Sequence, residues 1–170
     1  MEVLKGKKIL WLMPYFGHDA VGGAERANAN LIKILDLAEN IVFYTNSVDK
    51  TKKEYYFEGI KCIHGSEEEI EHFAKKCNPD LLIATHDLIY TALKTNFPYL
   101  IYLHDPRAHC LNANTKVCDF NCKNCSYFMS VENYKIAYKN AVAVAYCSNY
   151  LKKVSQEQYP EANYLEIPWI

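Results

Sequence analysis

Short apolar runs alternate with segments in which apolar residues recur every three or four positions, along nearly the whole sequence. Lys8 to Met13 is a continuous apolar run closed by Pro14 and reads as a buried strand. The next segment opens a helix near Gly22, on which Ala24, Ala27, Leu31, Ile34 and Ala38 make the single core-facing stripe that a period of 3.6 requires. Asn40 to Thr45 reads as the second strand, and after a Lys-rich loop a further strand runs from Phe57 to Ile63. Ser66 stands three residues before Glu69, the capping-box spacing for a helix start, and Ile70, Phe73, Ala74 and Cys77 then share one face. The acidic residues Glu67, Glu68, Glu69 and Glu71 fall in the first turn of that helix. The helix dipole favours negative charge there, so they read as a solvated face rather than a cation site.

Beyond Pro79 the rhythm resumes, with Leu81 to Thr85 as strand, His86 to Lys94 as a short helix and Tyr99 to Leu103 as strand behind Pro98. Ala141 to Cys147 is another apolar run. Ser148 is placed to cap a helix reaching about Gln158, and Tyr164 to Ile167 is a last short strand before Pro168. Continuous apolar strands separated by helices imply a mainly parallel sheet covered on both faces, because a half-exposed sheet would alternate. The expected architecture is a single Rossmann-like, doubly wound α/β domain over residues 1–170, with function in the loops at the carboxyl ends of the strands. One segment breaks the pattern: His104 to Ser130 has no helical or strand period and is longer than loops usually run.

Composition narrows the partners. Half of the residues are hydrophobic and 23% charged, which excludes disorder as an overall description, and the net charge is −1. A surface built to neutralise nucleic-acid phosphates would carry a basic excess, so nucleic acid is not the expected partner. No stretch approaches the roughly 20 apolar residues that cross a bilayer, and Ile9 to Met13 is too short for a secretory signal. The expectation is a cytoplasmic protein with no transmembrane segment, attached to a membrane only peripherally if at all. The 14 tyrosines read as compositional and carry no argument.

After the first strand the sequence reads Pro14, Tyr15, Phe16, Gly17, His18, Asp19, Ala20, Val21, Gly22, Gly23, Ala24, Glu25, Arg26. Adjacent glycines at a helix start let a ligand approach bare backbone amides, whose partial positive charge suits a phosphate. The spacing fits neither a dinucleotide fingerprint nor a Walker loop, and the local residues leave open that the glycines only permit a tight turn and close helix packing. A phospho-receiver domain would need an acidic pair where Pro14 and Tyr15 stand. Of the seven cysteines, Cys62, Cys77 and Cys147 lie in apolar periodic segments and read as core. Cys110, Cys118, Cys122 and Cys125 crowd the irregular segment, where four thiolates would hold a structural zinc tetrahedrally; disulfides or reduced thiols are the alternatives.

Four places together resemble the amino-terminal domain of family-four glycosyltransferases of the GT-B fold. Gly22, Gly23, Ala24 and Glu25 open the first helix, and His104 and Asp105 end a strand as the family's His-Asp pair does. Ala145 to Tyr150 resembles the family's strand, Ser and short helix; Glu166, Ile167 and Pro168 are similar to the stretch that closes its first domain. Where the family continues Asn-Gly, this sequence has Trp169 and Ile170, so the expectation is that the donor-binding second domain, or a partner subunit in its place, lies outside the chain. The resemblance implies a retaining transferase using a nucleotide-sugar donor and a saccharide or lipid-linked acceptor, without catalytic metal. It places Gly22 and Gly23 beside the donor phosphates and His104 at the reacting sugar, as the catalytic-site residue. Glu25, His18 and His86 fall on the acceptor side.

Residue chemistry alone reads several of these more plainly. Glu25 and Arg26 can be surface charges, His104 a structural histidine paired with Asp105, Asp87 beside His86 a helix cap, and Ser148 a cap. The alternative function is a non-catalytic sugar-binding or assembly module, with the Cys loop organised by zinc for protein contact.

Overall fold

Lys8–Met13 forms β1, buried from Ile9 onward because both of its faces carry apolar side chains and both of its edges are paired. The computed structural model describes residues 5–17, 22–36, 38–47, 53–85, 88–104 and 128–167. From β1 the chain continues through α1 (Gly23–Ile34), β2 (Glu39–Tyr44), β3 (Glu54–Phe57), β4 (Ile60–His64) and α2 (Ile70–Cys77), the last preceded by a 3-10 turn at Glu67–Glu69. It then forms β5 (Leu81–Ala84), α3 (Ile89–Lys94), β6 (Tyr99–Leu103), α4 (Phe128–Asn140), β7 (Ala143–Tyr146), α5 (Asn149–Gln158) and β8 (Tyr164–Glu166).

The eight strands make one sheet in the order β3-β4-β2-β1-β5-β6-β7-β8, parallel throughout except for the antiparallel pair β3 and β4. Strand order grows outward from β1 in one direction through β2 and β4, then restarts on its other side at β5. The switch point therefore lies between β1 and β5, and an α/β sheet opens its ligand crevice at the carboxyl ends there. Helices cover both faces, as the apolar strands require. Leu31 and Ile32 of α1 pack on Ile9, Trp11, Met13 and Val42. On the opposite face Ile70, Ala92, Tyr138 and Leu151, one from each of α2 to α5, pack on Leu10, Leu12, Ile101 and Val144.

Two polar clamps set the central strands. Asp80 accepts the Lys8 N–H at 2.8 Å and pairs with Lys7 Nζ at 2.9 Å, so the start of β5 is tied to the start of β1. Those partners hold the Asp80 carboxyl below its ordinary range, the Lys8 amide first and Lys7 second. Under the sheet, Trp11 Nε1 donates to Asn40 Oδ1 at 2.9 Å, and Asn40 Nδ2 donates to Leu35 O at 2.8 Å and Ala38 O at 3.1 Å. One amide thus closes the turn from α1 to β2 and satisfies a fully buried indole.

Several expectations need correction. The helix after β1 ends at Ile34, short of Ala38, and its buried side runs through Asn28, Leu31 and Ile32; Ile34 is 43% exposed. The single strand expected from Phe57 to Ile63 is a hairpin. Glu58 and Gly59 both adopt positive φ, 49° and 85°, and turn β3 back onto β4. The irregular segment gives way at Phe128 to α4, which the sequence pattern did not separate because its apolar and polar positions are mixed around the helix. Cys62 and Cys147 are buried and Cys77 half-buried, in keeping with core positions.

Candidate functional site

Three segments leave the sheet on the carboxyl side of the switch point: the residues after β1, Thr85 after β5 and His104 after β6. Thr85 is fully buried and donates its hydroxyl to Leu12 O at 3.3 Å, drawing the end of β5 onto β1.

The N-cap of α1 is Gly22, with φ −117° and ψ 172°, extended backbone that any residue adopts, and among the described residues no side chain caps the helix. Among the described residues nothing lies within 4 Å of where a Gly23 Cβ would sit, and a Gly22 Cβ would meet only the Glu25 carboxylate. Neither backbone strain nor close packing against the described residues therefore demands these two glycines. Their amides stand at the positive end of the helix dipole, beside the Glu25 carboxylate.

His104 follows β6 and touches α1 at Asn28. Its ring stands edge-on against Tyr102, with centroids 4.5 Å apart and planes at 69°. Burial pushes the Tyr102 hydroxyl above its ordinary value, with Cys147 adding to it, so the ring beside the imidazole stays uncharged. His104 Nε2 lies 3.5 Å from Nδ2 of Asn28, and the same amide nitrogen lies 3.5 Å from Met13 Sδ. Asn28 sits five residues into α1 from Gly23, a rise of about 7.5 Å at 1.5 Å per residue. The contact therefore joins β1, the first half of α1 and the end of β6. Asn28 is 2% exposed, and its Oδ1 is buried with no hydrogen-bond partner among the described residues.

Asn28 was not among the expected site residues. Its signal was a polar amide three and four residues before Leu31 and Ile32, legible only once the phase of the buried stripe is known. Glu25 and Arg26 border a hollow of about 400 Å³ that runs along α1, with Asn30, Lys33, Phe57 and Glu58 on its other parts. Lys33 Nζ and Glu58 Oε2 pair across it at 2.5 Å. Ser148 caps α5 as expected, its Oγ accepting the Leu151 N–H at 3.2 Å.

His18, His86, Asp87, Asp105 and the four cysteines Cys110, Cys118, Cys122 and Cys125 lie outside the described residues. Among the described residues, no group of three or more His, Cys, Asp or Glu gathers as a metal site. Among them, too, no helix is long and apolar enough to cross a membrane.

The fold recurs in known structures. Sucrose-phosphate synthase from Thermosynechococcus elongatus superposes with a TM-score of 0.68 at 14% identity, over 95% of this chain and 48% of that one. The chain has the fold of one half of a GT-B glycosyltransferase. The GT-B likeness extends to the catalytic domain of starch synthase IV from Arabidopsis thaliana bound to ADP and acarbose, with TM-score 0.58, 12% identity and coverage of 96% and 52%. It also extends to an alpha-glucosyltransferase in complex with UDP and a 13-mer DNA, with TM-score 0.54, 16% identity and coverage of 95% and 42%. The chain thus spans about half the length of these GT-B proteins. No protein-family model and no curated protein matches the sequence.

Proposed function

We propose that the chain is the amino-terminal, acceptor-side domain of a retaining glycosyltransferase that uses a nucleotide-sugar donor. The observation that supports this reading is the fold shared with GT-B structures; in this chain the amino end of α1 and His104 both follow strand carboxyl ends, and His104 touches α1 at Asn28. Glycosyl transfer breaks the bond between the sugar's anomeric carbon and a diphosphate oxygen, so negative charge grows on the departing diphosphate as the carbon becomes oxocarbenium-like. The amides at Gly22 and Gly23, backed by the α1 dipole, are suited to receive that charge. His104 is suited to hold a hydroxyl of the donor sugar and fix the reacting centre, a task of orientation rather than proton removal.

Glu25, together with the hollow along α1, supports an acceptor side: its carboxylate and amide groups match hydroxyl-rich ligands. His18 and His86 belong to this acceptor side in the proposal, and a donor domain outside the chain supplies the remaining nucleotide contacts. Alone, the chain is expected to turn over little.

The reading is tested by titrating the isotopically labelled chain with UDP- and ADP-sugars. Saturable shifts of the Gly22 and Gly23 amides and of the His104 ring are expected. Shifts with free saccharides but none with nucleotide sugars would replace the transferase reading by a sugar-binding module.

A further inference from the structure

The Asn28 amide faces two acceptors at once. Its Nδ2 lies 3.5 Å from Met13 Sδ and 3.5 Å from His104 Nε2. A thioether has lone pairs and no hydrogen to give, so the end of the amide turned to it is the NH₂ end; the reverse orientation would set the carbonyl oxygen against sulfur lone pairs. The second amide hydrogen then points at His104 Nε2, which accepts it only when unprotonated. We infer that Asn28 is a positioning residue that, oriented by Met13, fixes His104 as the neutral tautomer with its proton on Nδ1.

The arrangement carries a cost. Asn28 Oδ1 is left buried without a donor among the described residues, a penalty that an apolar residue packed there would avoid. Among the described residues the amide gives the fold nothing through its oxygen, and its contacts there are made by the pair of N–H groups. The neighbouring Tyr102 ring, edge-on at 4.5 Å, fixes the plane of the imidazole, and Asn28 fixes which nitrogen bears hydrogen. The three residues come from β1, α1 and β6, so the tautomer is set by the meeting of the strand ends around the switch point. In the transferase reading, on which this role rests, Asn28 occupies the Nε2 lone pair, so the ring meets a sugar hydroxyl only as an Nδ1–H donor.

The test reads the ring itself. In long-range ¹H–¹⁵N spectra of the full chain at a pH where His104 is neutral, with His104→Gln identifying the signal, the native protein is expected to show a protonated Nδ1 and a bare Nε2. Asn28→Leu removes the amide and is expected to shift the ring to the Nε2–H form that free histidine prefers. Asn28→Asp, whose carboxylate only accepts, is expected to hold it in that form. The His64 and His72 signals report whether each variant is folded. If Asn28→Leu does not fold, Met13→Leu keeps the volume and frees the amide to turn, and a mixture of both tautomers is expected. A native ring protonated on Nε2, or a native pattern that persists in folded variants, overturns the inference. Because no ligand is needed, this outcome is separate from success or failure of the nucleotide-sugar titration.

Discussion

The carboxylate of Glu25 folds back over Gly22, so close that a Cβ placed on Gly22 would lie 2.5 Å from Oε2. Glu25 occupies the third position of α1, where its charge offsets the helix dipole. It thereby sits beside the amides proposed for the donor diphosphate. Glu25→Gln is expected to lower stability by about 0.3–1 kcal/mol through the lost dipole interaction. Removing the competing charge is expected to tighten UDP or ADP binding by about 2- to 5-fold, the same energy expressed as affinity. Urea unfolding and calorimetric titration of the two forms measure the two effects, and a weaker nucleotide affinity in the variant would place the carboxylate away from the phosphates.

Asn40 supports more than its own position. Asn40→Ala would strip the acceptor from the buried Trp11 indole and leave the Leu35 and Ala38 carbonyls without their shared donor. Stranding a buried donor costs about 1–3 kcal/mol, so this variant should fall at or above that range in urea unfolding. Ser148→Ala loses one cap at the exposed start of α5 and should cost about 0.5–2 kcal/mol. Equal losses would mean that the Asn40 cluster is solvated after the change.

Stability should decline in alkali. Burial pushes the Cys62 thiol from 9.0 up to about 11, and the Tyr99 and Tyr164 hydroxyls from 10.0 up to about 12. Each group is more easily deprotonated unfolded than folded, so its contribution is complete below the unfolded value and is lost as pH rises through the folded one. The urea midpoint should therefore hold from pH 7 to about 9, then fall through pH 9–11 with Cys62 and pH 10–12 with the tyrosines. Tyr99→Phe, which also removes a hydrogen bond to Ala137 O, should start lower but lose less over the upper interval. An unchanged slope in that variant would show that Tyr99 does not ionise in the unfolding transition.

The cysteines Cys110, Cys118, Cys122 and Cys125 stand as a proposed structural zinc set on the strength of their spacing. Purified under reducing conditions, the chain is expected to carry about one zinc, the capacity of one tetrahedral four-thiolate site, and to release it to a strong chelator. Cys122→Ser should abolish most of the metal content. A zinc-free preparation in which all four thiols react freely would sink the assignment.

The sheet was legible because buried parallel strands are continuous apolar runs: Lys8–Met13 and Tyr99–Leu103 have the expected bounds. The hairpin was hidden because Glu58 enters the left-handed region without being Gly or Asn, so the turn lacks its usual two-residue signature. In α1 the alanines diluted the contrast between faces, and the stripe was placed on Ile34 rather than Ile32. The same misphasing concealed Asn28, whose importance depends on Met13 and His104 arriving from distant strands. His104 was visible as local chemistry at a strand end, whereas its contact with the Asn28 amide is a tertiary fact that no local pattern encodes.

β1 is made first but completed late. Its second edge pairs Ile9 through Leu12 with Leu81 through Ala84, 72 positions further along. During translation the nascent chain must therefore carry this largely apolar strand with one edge unpaired until β5 emerges from the ribosome. Such an edge invites pairing with other chains, so production of this protein should respond strongly to chaperone supply and to the pace of synthesis through residues 45–80.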